Sequence, residues 1–210
     1  KDYHVSFLGG EPLLNWDLIT HAVPKLRADP KCAGINIITN LTMIDDEKAD
    51  YLKANGVGVS WSFDGMGSNE SRPLLPLLEN TNPETGEIFN GILDMYNYKK
   101  ETITKLTNGC KVMIWPGNTA DMTENFEFLL DWGIEHPDFS IVRDDVWDKD
   151  SLVEFHRECG RLADAWISKI KQGIPCSVGF LRLAILDILF GLVKGKRPFG
   201  CFAGANGGVL

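Results

Sequence analysis

The sequence contains no C-x-x-C pair and no C-x-x-x-C-x-x-C run, and its five cysteines, Cys32, Cys110, Cys159, Cys176 and Cys201, stand far apart. That spacing excludes a zinc ribbon and a dense disulfide framework, both of which need grouped or evenly paired thiols. An odd number of scattered thiols fits a reducing compartment, so a cytoplasmic location is expected, with the first four cysteines as small core residues. Histidine is scarce: His4, His21, His136 and His156 show no metal-ligand spacing and read as structural or exposed. No apolar run reaches the roughly 18 residues of a membrane span. The nearest, 180–194, carries Arg182 and Asp187 and reads as a buried or interface helix, so no membrane partner is expected. The chain opens on Lys1-Asp2 without a charged-then-apolar leader, so no secretory signal is expected. Basic residues are outnumbered, with 21 Lys and Arg against 29 Asp and Glu and a net charge of -8. This balance argues against an unaided grip on nucleic acid phosphates and favours a small-molecule or polypeptide ligand.

What is present is ordinary for a globular domain: 44% hydrophobic and 24% charged residues over 210 positions, with 21 glycines and 10 prolines. Short β-branched runs at 4–8, 35–39, 57–63, 110–115 and 139–143 alternate with helix-period runs at 13–28, 45–55, 88–106 and 123–132. Asp45 or Asp46 makes a plausible cap for the second helix, and Asn55-Gly56 a plausible stop. The alternation predicts an α/β fold with a parallel sheet, open or curled into part of a barrel. Two long helical stretches, 150–172 and 180–194, follow without a strand between them, and a glycine-rich tail closes the chain. The stretch 69–87 reads as a long surface loop.

Ligands in parallel α/β architectures bind at the carboxyl ends of the strands. That rule gathers the loops 9–12, 40–42, 62–65, 116–119 and 143–145 on one face, with Glu11, Asn40, Ser62, Asn118 and Arg143 at a common end. Gly9-Gly10 allows a sharp turn with open backbone groups, and Pro12 suits the first turn of a helix. Turn chemistry alone explains such a segment; so does a cation, such as an ammonium, received by carbonyls and the Glu11 carboxylate. Asp64-Gly65 reads first as a turn. If the strand persists, Ser62 and Asp64 point the same way. Arg72 and Arg143 are candidate anion partners.

The stretches "VSFLGGEPLLNWDLI", "ITNLTMIDDEKADYLKANGVGVSWSFDG" and "KVMIWPGNTADM" resemble, in order and spacing, radical S-adenosylmethionine enzymes. The branch they look most like is the anaerobic sulfatase-maturase and peptide-modifying group with a C-terminal SPASM domain. The resemblance implies a partial (β/α)6 barrel, of which this chain holds strands two to six. It implies S-adenosylmethionine and a [4Fe–4S] cluster as cofactors, a peptide or protein substrate, and an electron donor such as flavodoxin or ferredoxin. It implies that Gly9, Gly10 and Glu11 hold the cofactor's ammonium, that Ser62 and Arg72 approach its ribose or carboxylate, and that Asn40 lines the same pocket. Cys201, in "CFAGANGGVL", is similar to the opening cysteine of a SPASM domain and so a candidate auxiliary-cluster ligand in a longer parent.

On that resemblance the chain divides into a barrel core at 1–149, a helical linker at 150–200 and the start of a SPASM-like domain at 201–210. The cluster-binding loop would precede Lys1, so the chain alone is expected to be inactive. Leu41 stands where relatives usually carry glycine after "TN". The alternative is a cluster-free (β/α) domain that binds a nucleotide or peptide without chemistry. A hydrolase or aldolase is disfavoured by the lack of a strand-end Lys or His pair.

Overall fold

The β-branched runs form five strands, β1 (Tyr3–Phe7), β2 (Cys32–Thr39), β3 (Gly58–Ser62), β4 (Gly109–Ile114) and β5 (His136–Ile141). They come from a computed structural model that describes residues 2–74, 80–142 and 146–182. All four pairings are parallel, and the strands lie in chain order, β1-β2-β3-β4-β5. The predicted α/β class and parallel sheet are therefore what the chain builds.

Helices α1 (Trp16–Ala28), α2 (Asp46–Ala54), α3 (Ser68–Ser71), α4 (Ile92–Tyr98), α5 (Lys100–Leu106), α6 (Met122–Trp132) and α7 (Lys149–Lys171) connect or follow the strands. Asp45 caps α2 by accepting from the Lys48 N–H at 2.8 Å. Gly56, just beyond its end, has φ +61. Pro24 lies inside α1 and supplies no N–H to the Thr20 carbonyl. The Tyr51 hydroxyl of α2 donates to that carbonyl instead, at 3.3 Å. A helix interruption is thereby turned into a bond between neighbouring helices.

Three sequence expectations need correction. The run 88–106, read as one helix, is two, broken at Lys99, which has φ −88 and ψ 7. The start of the run predicted as helix 13–28 is a 3₁₀ turn (Pro12–Asn15) before α1 proper. The segment read as a bare loop after β3 also carries structure: a 3₁₀ turn (Gly65–Gly67), α3, and an antiparallel bridge between Thr81 and Ile88.

The sheet's two faces differ sharply. One face, with Ile35, Ile37, Trp61, Cys110, Val112, Ile114 and Phe139, is buried under the helices. There the rings of Trp61 and Phe63 stack at 4.2 Å, and Tyr96 and Trp132 close around both. The residues that alternate with these are mostly polar, His4, Ser6, Asn36, Ser60, Ser62, Lys111, Asp138 and Ser140, with Ile38 and Met113 the apolar exceptions. Register pairs Ser6 with Asn36, Ser62 with Lys111, Lys111 with Asp138 and Met113 with Ser140, and paired residues share a face. Asn36 donates to Ser60 at 3.2 Å, and Lys111 pairs with Asp138 at 3.0 Å. A parallel sheet is ordinarily apolar on both faces; this one presents a hydrophilic, uncovered face among the described residues.

Helix α7 packs on α6 and on the 3₁₀ turn (Pro116–Asp121). Its Glu158, fully buried, accepts from the Thr123 hydroxyl at 2.9 Å and from Arg161 at 2.6 Å. Arg161 also reaches Glu124, at 2.8 Å.

Candidate functional site

Because the strands are parallel, β1, β2 and β3 deliver Gly9 to Glu11, Asn40 and the Asp64 turn to one end of the sheet. A cleft of about 610 Å³ opens there, lined by Glu11, Asn40 and Arg72, with Lys99 at one side and Leu14, Met43, Leu74 and Ile92 as apolar wall. Three of the residues singled out from sequence thus share one cavity. Ser62 is not among its lining; it ends β3 on the polar face of the sheet. Arg143 and Cys201 lie outside the described residues, as does most of the predicted helix 180–194.

Glu11 does more than face the cleft. Its Oε1 accepts from the Leu13 N–H at 3.1 Å and from the Thr39 hydroxyl at 2.6 Å, while Oε2 accepts from the Asn40 N–H at 2.9 Å. The carboxylate caps the 3₁₀ turn begun at Pro12 and ties it to the exit of β2. A carboxylate has about four acceptor positions, so three internal donors leave one for a ligand.

Gly9 and Gly10 do not serve the turn in the expected way. Neither has a positive φ, both are exposed, and a Cβ built on either meets no atom within 4 Å. Among the described residues nothing requires glycine at these positions. The bare backbone they offer faces open space next to Glu11.

The exit of β2 is held from several sides. The Asn40 carbonyl accepts from the Trp61 indole at 3.2 Å and from the Tyr96 hydroxyl, whose burial raises its pKa. The Asn40 side-chain oxygen accepts from the N–H and hydroxyl of Thr42, both at 2.9 Å. Lys99 donates to the carbonyls of Thr42 at 2.6 Å and Ile44 at 2.9 Å, and desolvation lowers its pKa. Leu41, fully buried, adopts φ +57, the only positive φ outside glycine among the described residues. Glycine adopts such a φ without the strain that a Cβ adds.

Asp64 is the residue whose importance the sequence concealed. Its side chain is 2% exposed and accepts from the Met113 N–H at 2.8 Å, the Ser71 hydroxyl at 2.7 Å and Arg72 Nε at 2.7 Å. β3 ends at Ser62, so the strand on which a shared direction of Ser62 and Asp64 was conditioned does not reach Asp64. Gly65, with φ +68, passes so near Asn125 that a Cβ would lie 2.0 Å from its Oδ1. Asn125 in turn donates to the Asp64 carbonyl and accepts from the Met66 N–H. Asn118, expected at the ligand face, uses its amide locally, accepting from the Trp115 N–H and donating to the Met113 carbonyl, each at 2.9 Å.

The four histidines are all exposed, and Cys110 alone of the four described cysteines is buried. Among the described residues no three His, Cys, Asp or Glu side chains are grouped to hold a metal ion, and no helix is long and apolar enough to cross a membrane.

No family model matches the chain. An uncharacterised protein of Methanocaldococcus jannaschii, MJ0907, is 29% identical over 143 residues, 66% of this chain and 46% of that protein. The radical SAM cyclopropyl synthase TigE of Paramaledivibacter caminithermalis is 27% identical over 125 residues, 53% of this chain and 26% of that protein. The matched part thus spans less than half of either relative. Among solved structures, the anaerobic sulfatase-maturating enzyme anSMEcpe with bound AdoMet superposes with a TM-score of 0.65 at 15% identity, covering 94% of this chain and 52% of that one. The same enzyme with AdoMet and a bound peptide gives 0.63 at 16% identity, covering 93% and 54%. The resemblance to radical S-adenosylmethionine enzymes read from the sequence recurs in these neighbours, and the fold is the partial barrel that such enzymes use.

Proposed function

We propose that the strand-end cleft holds the methionine portion of S-adenosylmethionine, and that the chain is the core of a radical enzyme acting on a peptide or protein side chain. The observation that carries this reading is that Glu11 and Arg72, of opposite charge, face one cleft of about 610 Å³. A free α-amino acid group bears an ammonium and a carboxylate and meets a partner for each. The exposed backbone of Gly9 and Gly10 adds carbonyls without side chains in the way. In this reading Glu11 and the glycines take the ammonium, Arg72 the carboxylate, and Asn40 and Ser62 stand nearer the ribose. The cleft volume lies within the range of small-molecule sites.

The chemistry of such enzymes needs a [4Fe–4S] cluster, which supplies the electron that cleaves the cofactor, and clusters are held by thiolates. The described residues do not fit one, since no metal-binding group forms among them. We therefore place the cluster thiolates and the electron donor, such as flavodoxin or ferredoxin, outside this chain. This chain's own part is to bind the cofactor and fix its orientation.

Calorimetric titration tests the binding. S-adenosylmethionine should bind the unaltered protein, and Arg72→Met should weaken it about tenfold or more, as expected for a lost charge-assisted hydrogen bond. Absence of binding, or equal affinities, overturns the reading. Anaerobic reconstitution of the chain with iron and sulfide should give no stoichiometric cluster; about four irons per chain would show the ligands to be internal.

A further inference from the structure

The Arg72 guanidinium meets Asp64 side-on: Nε lies 2.7 Å from Oδ2 and Nη2 3.3 Å from Oδ1. Nη1 takes no part in that pair. The carboxylate is itself held by the Ser71 hydroxyl at 2.7 Å and the Met113 N–H at 2.8 Å, and the Asp64 backbone by Ser68 and Asn125. A charged group only 2% exposed is thus anchored to α3, β4 and α6 at once, while its arginine partner, 27% exposed, reaches the cleft that Glu11 lines. A planar guanidinium gripped on one edge keeps its remaining donors in a fixed plane.

We propose that Asp64 is a positioning residue that aims the Arg72 guanidinium at the carboxylate of an amino-acid-bearing ligand in the cleft. The inference rests on the reading of the cleft given above and deepens it. Arginine without this partner samples several rotamers, and ordering it then costs binding free energy. With the partner in place the ordering is complete before the ligand arrives. Asp64 touches no ligand in this account and acts through Arg72 alone.

The test compares two probes in the full chain by calorimetric titration. S-adenosylhomocysteine carries the amino acid group; 5′-methylthioadenosine lacks it. Asp64→Asn should weaken the first by about tenfold and leave the second unchanged. In an Arg72→Met background Asp64→Asn should cause no further loss, since coupled residues are not additive. A merely structural role would weaken both probes alike, or persist in the Arg72→Met background, and either result overturns the proposal. Asp64→Glu supplies a second variant should Asp64→Asn not fold. It keeps the charge but moves the guanidinium, so the same probe-selective loss is expected, and an unchanged affinity for S-adenosylhomocysteine overturns the proposal. If Arg72→Met itself leaves that affinity unchanged, the reading of the cleft falls; if only the Asp64 variants do, the cleft reading stands and this inference falls.

Discussion

The Thr39 hydroxyl donates to Glu11 at 2.6 Å and accepts from the Leu41 N–H at 3.0 Å, so one buried side chain joins the strand-end carboxylate to a residue in left-handed conformation. Thr39→Val keeps the shape and removes both bonds, leaving a buried N–H without its acceptor. Unfolding free energy should fall by about 1–3 kcal/mol, the cost of an unsatisfied buried polar group. Thr39→Ser should recover most of it. Urea denaturation of the two variants checks the order, and an unchanged midpoint for the valine variant would refute the role.

Glu11→Gln has a structural consequence that the sequence did not suggest. From the chain alone, the turn looks set by Gly9, Gly10 and Pro12, with the carboxylate free for a ligand. In the structure both carboxylate oxygens accept internal donors. An amide has one oxygen, so its NH2 must face a donor whichever way it is turned. The ligand-free protein should lose about 1–3 kcal/mol of stability, read as a lowered denaturation midpoint.

At position 41 the usual ranking of small residues should reverse. Leu41→Ala removes a buried side chain, at about 2–5 kcal/mol, and keeps the left-handed strain. Leu41→Gly loses the same burial but relieves the strain, less about 0.5–1 kcal/mol of extra unfolded-state freedom. The glycine variant should therefore be at least as stable as the alanine variant. A clearly less stable glycine variant would mean that φ +57 carries no cost here.

Alkaline stability should depend on Tyr3. Its hydroxyl donates to Asp29 at 2.7 Å, and that bond, ahead of desolvation, pushes the phenol from 10.0 up to about 12. Between those values the unfolded chain has released the proton that the folded chain still holds, so stability falls as pH rises through the window. The contribution is fully present below pH 10.0. Tyr3→Phe should remove this slope while leaving other alkaline effects in place, and parallel denaturation series above neutrality would show it.

The strands were legible because β-branched runs of the right length alternate with helix-period runs. Of the residues the strand-end rule grouped, Glu11 and Asn40 line one cleft, which Ser62 and Asn118 do not, and Arg72, read from sequence as an anion partner, lines it too. The break at Lys99 was not legible. The pattern around Ile92, Met95, Tyr96 and Ile103 is continuous, and the interruption sits where the Lys99 ammonium binds two carbonyls of a distant loop. Asp64 was read as a turn former because Asp-Gly is one; its partners Ser71, Arg72 and Met113 converge only in three dimensions. Glu158 gave no signal either. It looks like any polar helix position until α7 lies across the start of α6. Local period is written in the sequence, whereas the destination of a polar side chain is decided by tertiary packing.

Spatial order in the sheet equals chain order from β1 to β5. A chain made from its amino end releases these strands in the same succession. Each new strand therefore emerges beside a neighbour that already exists, and none of the five must be held open for a later one to insert between earlier pairs. Assembly of the sheet then needs only addition at one edge.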